Sequence, residues 1–372
     1  MKKLILFLIF ALVFSVSAAE KKADTRLPMV TPVDKYVAPA LSDPENWMMV
    51  VVPDTQNYVK NLRNHGVVDI MFSWIAENVE ALKIQQVLIA GDLVDQNRST
   101  RTVKRRNNCN GPRQWQEISR VAAKLDNVVS YIVCTGNHDY GWSRSQDRRT
   151  EMNKYFYPGR NSKWNNVLRE CGPNSFGEHT LENAVYEFIA PGGQKVAVIS
   201  LGFAPTDAQL KWAYGLFSGK YKDHFGILLT HSYLTGINSG CKRIANKSYI
   251  IEKKDGNVGE DIFNKVIKRC PNIRMVICGH ISRKDDWNGC VGYQISKNDS
   301  GKSVHEILFD TQALGGGWVG NGGEGWIRLM EFSKDMKQVK VRTFSPLFAI
   351  SPATCNLAWH TAPFNEFVID ID

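Results

Sequence analysis

The sequence predicts an α/β fold with a largely parallel sheet, and two patterns predict it. Short apolar runs without polar interruptions are typical of strands covered on both faces. Longer amphipathic stretches lie between them, and alternation of strand and helix is typical of parallel sheets. The apolar runs cover residues 47–52, 86–90, 129–134, 225–229 and 273–278. The helix-like stretches include residues 67–82, 114–125 and 260–269.

The other strand-like segments have no helices between them. Residues 184–189 and 195–200 predict a hairpin, because the turn sequence Pro191-Gly-Gly joins them. Strand patterns without helices between them continue in the second half of the chain, at residues 304–309, 326–332, 339–344 and 367–371. We therefore expect an antiparallel portion, in which the C-terminal strands within 326–372 complete a second sheet.

The composition is that of an ordinary globular protein, with 372 residues, 43% apolar and 22% charged residues, and a formal net charge of +9. It excludes a disordered tail protein, a collagen-like repeat and a disulfide miniprotein. A core of this size folds without a metal, so a metal site would serve chemistry. The eight cysteines permit disulfides in an exported chain, but their pairing does not follow from the sequence.

The N-terminus has the pattern of a secretory signal peptide. A basic start, Lys2-Lys3, precedes an apolar run over residues 4–14, and small residues follow it. We expect cleavage after Ala18 or Ala19, which predicts a secreted or periplasmic protein. A buried N-terminal helix is the alternative.

The rest of the chain is predicted to be one domain. Residues 20–45 are polar and rich in proline, which indicates a linker or a strap on the domain surface. Residues 46–372 form the predicted domain. No later segment approaches about 20 consecutive apolar residues, so we expect no stable membrane anchoring after removal of residues 1–19.

Each apolar run of the predicted parallel strands ends in residues with carboxylate, amide or imidazole groups. Singly, such residues are more often helix caps, turns or core histidines. Together they indicate a metal site, because ligands bind at the carboxyl ends of the strands and these groups suit Zn²⁺, Mn²⁺ or Fe. The motifs are Asp54-Thr-Gln56, Gly91-Asp-Leu-Val-Asp95, Gly136-Asn-His-Asp139, His231 and Gly279-His-Ile-Ser282.

In order and spacing, these motifs resemble those of the calcineurin-like metallophosphoesterase superfamily over residues 47–282. The motifs of that family are DxH, GDxxD, GNHD, a later histidine and GHxH. The resemblance implies a four-layer αββα sandwich with mixed sheets and a two-metal centre at the strand ends. It also implies hydrolysis of a phosphomonoester or phosphodiester by in-line attack of a metal-bound hydroxide on phosphorus.

The resemblance assigns one metal position completely. Asp92 would bridge the two metals, and the second metal would also bind Asn137, His231 and His280. The expected cofactors are one or two divalent ions among Mn, Fe, Zn and Mg.

Two further residues of the GNHD motif receive catalytic roles from the resemblance. His138 would contact the phosphoryl oxygen or protonate the leaving oxygen rather than bind metal. Asp139 would orient the His138 ring through its second nitrogen.

The first metal position departs from the family pattern, because Gln56 and Ser282 stand where the family has histidines. This position would keep Asp54, Asp92 and the carbonyl oxygen of Gln56. Such an oxygen-rich site should be weaker and favour Mg²⁺ or Mn²⁺. A mononuclear enzyme, a dinuclear enzyme with substituted ligands and a degraded site all remain open. The residues that could replace the missing ligands are Asp310, His305 and His360.

Basic residues follow two of the predicted metal-bearing turns. Arg105, Arg106 and Arg144 are the predicted substrate-binding residues, because positive charge at the rim attracts anionic phosphoesters. Solvated loop charges are the alternative. We expect no nucleic-acid partner, since no zinc-finger, RNA-recognition or helix-turn-helix signature accompanies the charges.

The predicted function is that of an exported metal-dependent phosphoesterase acting on a phosphorylated small molecule or another phosphoester. The alternative is a non-catalytic phosphate- or metal-binding protein on the same fold, which the replacements at Gln56 and Ser282 favour. The presence of His138 and Asp139 favours the enzyme, because metal binding alone requires neither. A surface nuclease is a third hypothesis, which predicts salt-sensitive DNA binding.

Overall fold

The computed structural model describes residues 30–102 and 108–372, which form two mixed β-sheets with helices. The predicted signal peptide, residues 1–19, and the substrate-binding candidates Arg105 and Arg106 lie outside the described residues. The strands are β1 (Trp47–Val52), β2 (Ile84–Ile89), β3 (Tyr131–Val133), β4 (Leu168–Pro173), β5 (His179–Ile189), β6 (Lys195–Leu201), β7 (Phe225–Leu229), β8 (Ile273–Cys278), β9 (Val291–Lys297), β10 (Ser303–Phe309), β11 (Ile327–Phe332), β12 (Gln338–Phe344), β13 (Trp359–His360) and β14 (Phe367–Asp370).

The helices of the described residues are short: the longest has 13 residues, and two others have 12 each. They are α1 (Gln56–Val59), α2 (His65–Glu77), α3 (Gly111–Ala122), α4 (Met152–Tyr155), α5 (Asp207–Ser218), α6 (Ile250–Asp255), α7 (Gly259–Ile262), which continues as a π-helix over Phe263–Ile267, and α8 (Pro346–Ala349). Among the described residues, we find no helix with the length and apolar character to cross a membrane.

The first sheet has the strand order β13-β12-β11-β1-β2-β3, with β14 also paired to β12. Its centre is parallel from β1 to β3, and β11 pairs antiparallel with β1. The expectation that the C-terminal strands complete a second sheet is therefore wrong, because they extend the sheet of β1. Every residue of β1 and β11 is buried, and pairing them leaves neither buried strand with an open edge.

The second sheet has the order β4-β5-β6-β7-β8-β10-β9. The predicted hairpin is confirmed as β5 and β6, and β6, β7, β8 and β10 are parallel. Two edge strands, β4 and β9, had no strong sequence signal, because each is about half exposed and lacks a continuous apolar run.

The two sheets pack face to face, which confirms the mixed α/β sandwich. Alternate residues of β6 show the layering: Val198 belongs to the core between the sheets, and Ile199 packs with residues of α5 and α7 on the outer side. The Trp47 ring of the first sheet meets Phe188 of the second, with centroids 5.7 Å apart. On the other outer face, α2 and α3 share their apolar core with the first sheet.

The described part of the N-terminal segment, residues 30–45, follows the first sheet on its outside. Ser42 donates from both its backbone N–H and its hydroxyl to Glu331, and the Trp359 indole donates to the Val37 carbonyl at 2.8 Å. All eight cysteines, each within the described residues, are free thiols.

Candidate metal centre

The polar turns identified in the sequence meet where strands of both sheets end. Strands β1, β2 and β3 of the first sheet lead to Asp54, Asp92 and Asn137, and β7 and β8 of the second lead to His231 and His280. One ligand atom from each of Asp92, His231 and His280 lies within 4.8 Å of the other two. The centre therefore lies across the junction of the two sheets.

Two glycines of the motifs allow this close approach. A side chain at Gly136 would clash with the Asp92 carboxylate, and one at Gly279 would clash with the Asp54 carboxylate. Glycine at these positions lets the neighbouring backbone pack directly against the carboxylates.

We call Asn137, His231 and His280 the nitrogen-rich half of the centre. The Nδ1–H of His231 donates to the Ala90 carbonyl at 2.8 Å, which leaves Nε2 as the ligand atom. That Nε2 lies 3.2 Å from Asn137 Oδ1 and 3.2 Å from His280 Nδ1. A single cation suits these converging atoms, because amide oxygen and imidazole nitrogen are both ligands for Zn²⁺, Mn²⁺ and Fe.

The pKa values of the two imidazoles, His231 and His280, are shifted in opposite directions. Burial and the nearby His231 charge lower the pKa of His280 to about 3, so its ring is neutral and able to bind a cation. Burial also opposes charge on His231, but the Asp92 carboxylate outweighs it and raises the pKa of that imidazole.

Asp92 connects this half to the rest of the centre. Its Oδ1 accepts the backbone N–H of His138 at 2.8 Å and lies 3.4 Å from His231 Nε2, while its Oδ2 accepts from Gln56 Nε2 at 2.8 Å. Burial opposes ionisation, but the charges of His231 and His138 hold the pKa of Asp92 well below its usual value. The residue has a φ of +45°, a sparsely populated region that turns its backbone into the site. Its carboxylate is therefore placed to serve both metal positions.

We call Asp54, Gln56, Asp310 and Gln312 the oxygen-rich half. Gln312 Nε2 donates to Asp54 Oδ2 at 2.9 Å and to Asp310 Oδ2 at 3.0 Å. Burial, followed by the charges of Asp310 and Asp92, raises the pKa of Asp54 well above its usual value. Burial likewise raises the pKa of Asp310 to about 6. Without a cation, the carboxylates of this half therefore oppose one another.

The three residues proposed to replace the missing ligands lie in different places in the structure. Asp310 lies in the centre, whereas His305 bonds to the Tyr293 hydroxyl through Nδ1 at 2.9 Å and His360 packs on Trp287. Ser282 has a structural role, because its Oγ accepts the Ala313 N–H at 3.1 Å and contacts Cys290 Sγ at 3.2 Å.

Sequence reasoning missed Gln312, although a signal was present. Asp310-Thr-Gln312 repeats the triplet Asp54-Thr-Gln56, and each triplet comes just after a buried strand. The repetition of a ligand triplet behind two strands could have identified the pair.

The expected contact between Asp139 and the His138 ring is wrong. The Asp139 carboxylate instead accepts the backbone N–H groups of Leu93, Val94 and Gly136 at 3.1, 3.1 and 2.7 Å. The His138 Nδ1–H donates to the Asp95 carbonyl at 2.8 Å. Asp139 thus fixes the turn that carries Asp92, and a backbone carbonyl orients the imidazole.

The centre opens into a cavity of about 750 Å³, which His138 lines together with ligands of both halves. Arg144 also lines it, as the sequence predicted, and Tyr249 places its ring 5.8 Å from that of His280. Lys60 and Trp318 add a cation and an exposed aromatic surface to the wall. The cavity therefore joins the ligand cluster to positive charge.

Comparison with known proteins agrees with this arrangement. Residues 50–283 match the family model of calcineurin-like phosphoesterases. The chain is 27% identical over 344 residues to the uncharacterized protein YvnB of Bacillus subtilis; the match covers 91% of this chain but 22% of that protein. The chain thus spans about a fifth of the length of this curated relative.

Two solved structures are also similar. A dimetal phosphatase from Danio rerio has a TM-score of 0.45 and 12% identity, over 89% of this chain and 100% of the other. GAP50, described as the anchor in the inner membrane complex of Plasmodium, has a TM-score of 0.42 and 9% identity, over 88% of this chain and 89% of the other.

Proposed function

Because the chain belongs to the calcineurin-like phosphoesterase family, we propose that it is an exported, metal-dependent hydrolase of phosphomonoesters or phosphodiesters. The observation that carries the proposal is the convergence of the Asp92, His231 and His280 ligand atoms next to a cavity that Asp92, His280 and His138 line. Turns after four strands of the two sheets, β2, β3, β7 and β8, supply this arrangement, which ordinary capping of strand ends does not require.

The donor set fits divalent cations, because it combines carboxylates, neutral imidazole and amide oxygens with buried atoms that lack other partners. When bound, such ions polarise a phosphoryl oxygen and lower the pKa of a bound water. The protein's own groups have the remaining tasks of holding the substrate and moving protons.

His138 is placed for proton handling. Since its Nδ1–H donates to the Asp95 carbonyl, Nε2 is the ring atom left for the substrate, and in the doubly protonated ring the Nε2–H would donate to a phosphoryl oxygen or pass its proton to the leaving oxygen. Its backbone N–H also donates to Asp92, so the same residue positions the shared carboxylate.

Arg144 is the substrate-binding candidate at the described part of the rim. Its side chain is exposed and lines the cavity, where its positive charge would attract and orient an anionic phosphoester. Arg105 and Arg106 stay predictions for the same task.

The test compares the mature protein with its His138→Ala variant, each loaded with Mn²⁺, on an aryl phosphate and a bis-aryl phosphate. We expect turnover of at least one ester and a loss of about 10²–10⁴-fold in the variant at unchanged metal content. His179→Ala is the matched control, because His179 is exposed on β5 away from the cavity lining. A metal-loaded wild type that turns over neither ester would contradict the proposal.

The replaced imidazoles at Gln56 and Ser282 favour a second candidate, a phosphate-binding protein without turnover. Inorganic phosphate would then bind to the Mn²⁺-loaded protein, His138→Ala would leave that binding unchanged, and neither ester would be hydrolysed.

Export is supported by the signal-peptide pattern of residues 1–19. We expect the secreted or periplasmic fraction to contain a chain that begins at Ala19 or Glu20, measured by intact mass. A protein recovered outside the cytoplasm with Met1 retained would contradict cleavage.

A further inference from the structure

The two Asp-Thr-Gln triplets face each other from different sheets. Asp54-Thr-Gln56 follows β1 of the first sheet, and Asp310-Thr-Gln312 follows β10 of the second. Both triplets stand at the carboxyl ends of their strands, the edge at which ligands bind in such sheets. The Asn57 amide donates to the Gln312 carbonyl at 2.9 Å and ties the two turns together.

The side chains of the two triplets form one polar cluster. Gln56 Nε2 donates to Asp92 Oδ2 at 2.8 Å, and Gln312 Nε2 donates to both Asp54 and Asp310. Each glutamine thus uses its N–H groups to hold carboxylates of the centre.

The carbonyl oxygens of both glutamines are buried without a hydrogen-bond partner. Gln56 is 4% exposed and Gln312 1% exposed, and Oε1 of each is unpartnered. Both residues line the cavity that contains His138 and Asp92. A buried carbonyl without a partner is unfavourable, and a bound cation would satisfy it.

Charge leads to the same conclusion. Asp54, Asp92 and Asp310 are each at most 2% exposed. The Gln312 amide links Asp54 to Asp310, and the Gln56 amide contacts Asp92. Carboxylate and amide oxygens in this number match the oxygen coordination that Mg²⁺ and Mn²⁺ prefer.

We propose that Asp310 and Gln312 complete the first metal position, where they replace the two missing imidazoles and make it an all-oxygen site for a hard divalent cation. The inference rests on the proposed function, because this position shares Asp92 with the nitrogen-rich half. The departures from the family pattern at Gln56 and Ser282 would then change which metal the first position prefers, without abolishing that position.

The first test measures bound Mn²⁺ by elemental analysis after removal of free ions. Wild type should hold about two ions per chain, and both Gln312→Met and Asp310→Asn about one. Asn137→Ala, on the nitrogen-rich half, should also hold about one. Gln86→Met is the matched control, because Gln86 on β2 is also a buried glutamine with an unpartnered Oε1, and it should keep about two.

A second measurement separates a ligand from a merely structural residue. Asp310→Asn removes a buried carboxylate but also the acceptor of the Gln312 amide, so the shift in melting temperature between EDTA and Mn²⁺, rather than the value in EDTA, reports on cation binding. On addition of Mn²⁺, the same variant should show a smaller upward shift than wild type. A purely structural role predicts the same Mn²⁺-induced shift in the variant as in wild type.

The outcomes distinguish this inference from the proposed function. Two ions retained by both Gln312→Met and Asp310→Asn, with ester turnover intact, would overturn the inference and leave the function standing. A wild type that holds metal but hydrolyses no ester would remove the function, while loss of one ion in these variants would still support the site. A wild type without bound Mn²⁺ would overturn both.

Discussion

The two halves of the centre share Asp92 but reach their ligands in different ways. The nitrogen-rich half combines a buried histidine fixed by a backbone carbonyl, a neutral histidine and an amide oxygen, and their ligand atoms already lie close together. The oxygen-rich half places Asp310 against Asp54 and leaves the two glutamine oxygens unpartnered. The first half is organised before a cation arrives, whereas the second depends on the cation for its stability.

The largest expected effect tests the organised half. His231→Ala removes a proposed ligand whose Nε2 lies near Asn137, Asp92 and His280, and we expect about 10³-fold lower turnover, or about 4 kcal/mol, with one ion lost. Turnover and elemental analysis of the Mn²⁺-loaded variant provide the measurement. Unchanged turnover would show that this half is not the catalytic one.

Next in size is a change that should weaken both halves together. Asp139→Asn replaces one acceptor oxygen by an amide that cannot accept the backbone N–H groups of the turn carrying Asp92. We expect a loss of about 2–3 kcal/mol in the free energy of unfolding. Weaker Mn²⁺ binding at both positions should accompany it, measured by urea denaturation and by titration. Loss at one position alone would argue that Asp139 does not support the shared carboxylate.

The pH dependence should distinguish the halves in metal-free protein. The raised pKa of Asp310, about 6, contributes stability that is present below its unfolded value of 3.8 and lost as pH rises through 6. The lowered pKa of His280, about 3, contributes stability that is present above 6.5 and lost as pH falls. Acidification from pH 7 to 4.5 should therefore stabilise the oxygen-rich half and destabilise the nitrogen-rich half.

The Asp310→Asn variant lacks the carboxyl whose protonation stabilises the folded protein on acidification. Its unfolding free energy in EDTA should fall more steeply on acidification than that of wild type, by about 2 kcal/mol over this interval. Urea denaturation at the two pH values measures it. Equal slopes in the two proteins would contradict the opposed-carboxylate description of the oxygen-rich half.

A smaller effect tests the choice of metal. Gln56→His restores the imidazole of the family pattern beside Asp92, and we expect about tenfold stronger binding of Zn²⁺ relative to Mn²⁺ at the first position. Competition titration provides the ratio. An unchanged ratio would mean that Gln56 does not face that ion.

The smallest expected effect concerns Ser282. Ser282→Ala loses the acceptor of the Ala313 N–H and should cost about 1 kcal/mol of stability with metal content unaltered. A lost ion in this variant would instead place the hydroxyl among the ligands.

The sequence predicted the nitrogen-rich half better than the oxygen-rich half, for a physical reason. His231 and His280 each follow a continuous apolar run, and such parallel strands deliver their next residues to one edge. Asp310 also follows a buried strand, but no helix leads from that strand to the next, so the pattern gave no sign that its end joins the same edge.

Sheet pairing and side-chain contacts could not be predicted from the sequence. The apolar pattern of residues 326–332 indicates a buried strand but does not say that its partner is β1, because the partner depends on which edge is left open. The GNHD motif likewise places His138 beside Asp139 without showing that three backbone amides compete for the carboxylate. Such competition depends on the shape of the turn at Asp92.

The position of the centre at the junction of the two sheets has a consequence for handling the protein. Asp54 and Asp92 come from one layer of the sandwich, and His231, His280 and Asp310 from the other. An ion bound at this junction would link the two layers, so we expect chelating buffers to loosen the sandwich as well as to stop the proposed turnover. Limited proteolysis should register the loosening as faster cutting near the strand ends before any change in far-UV circular dichroism.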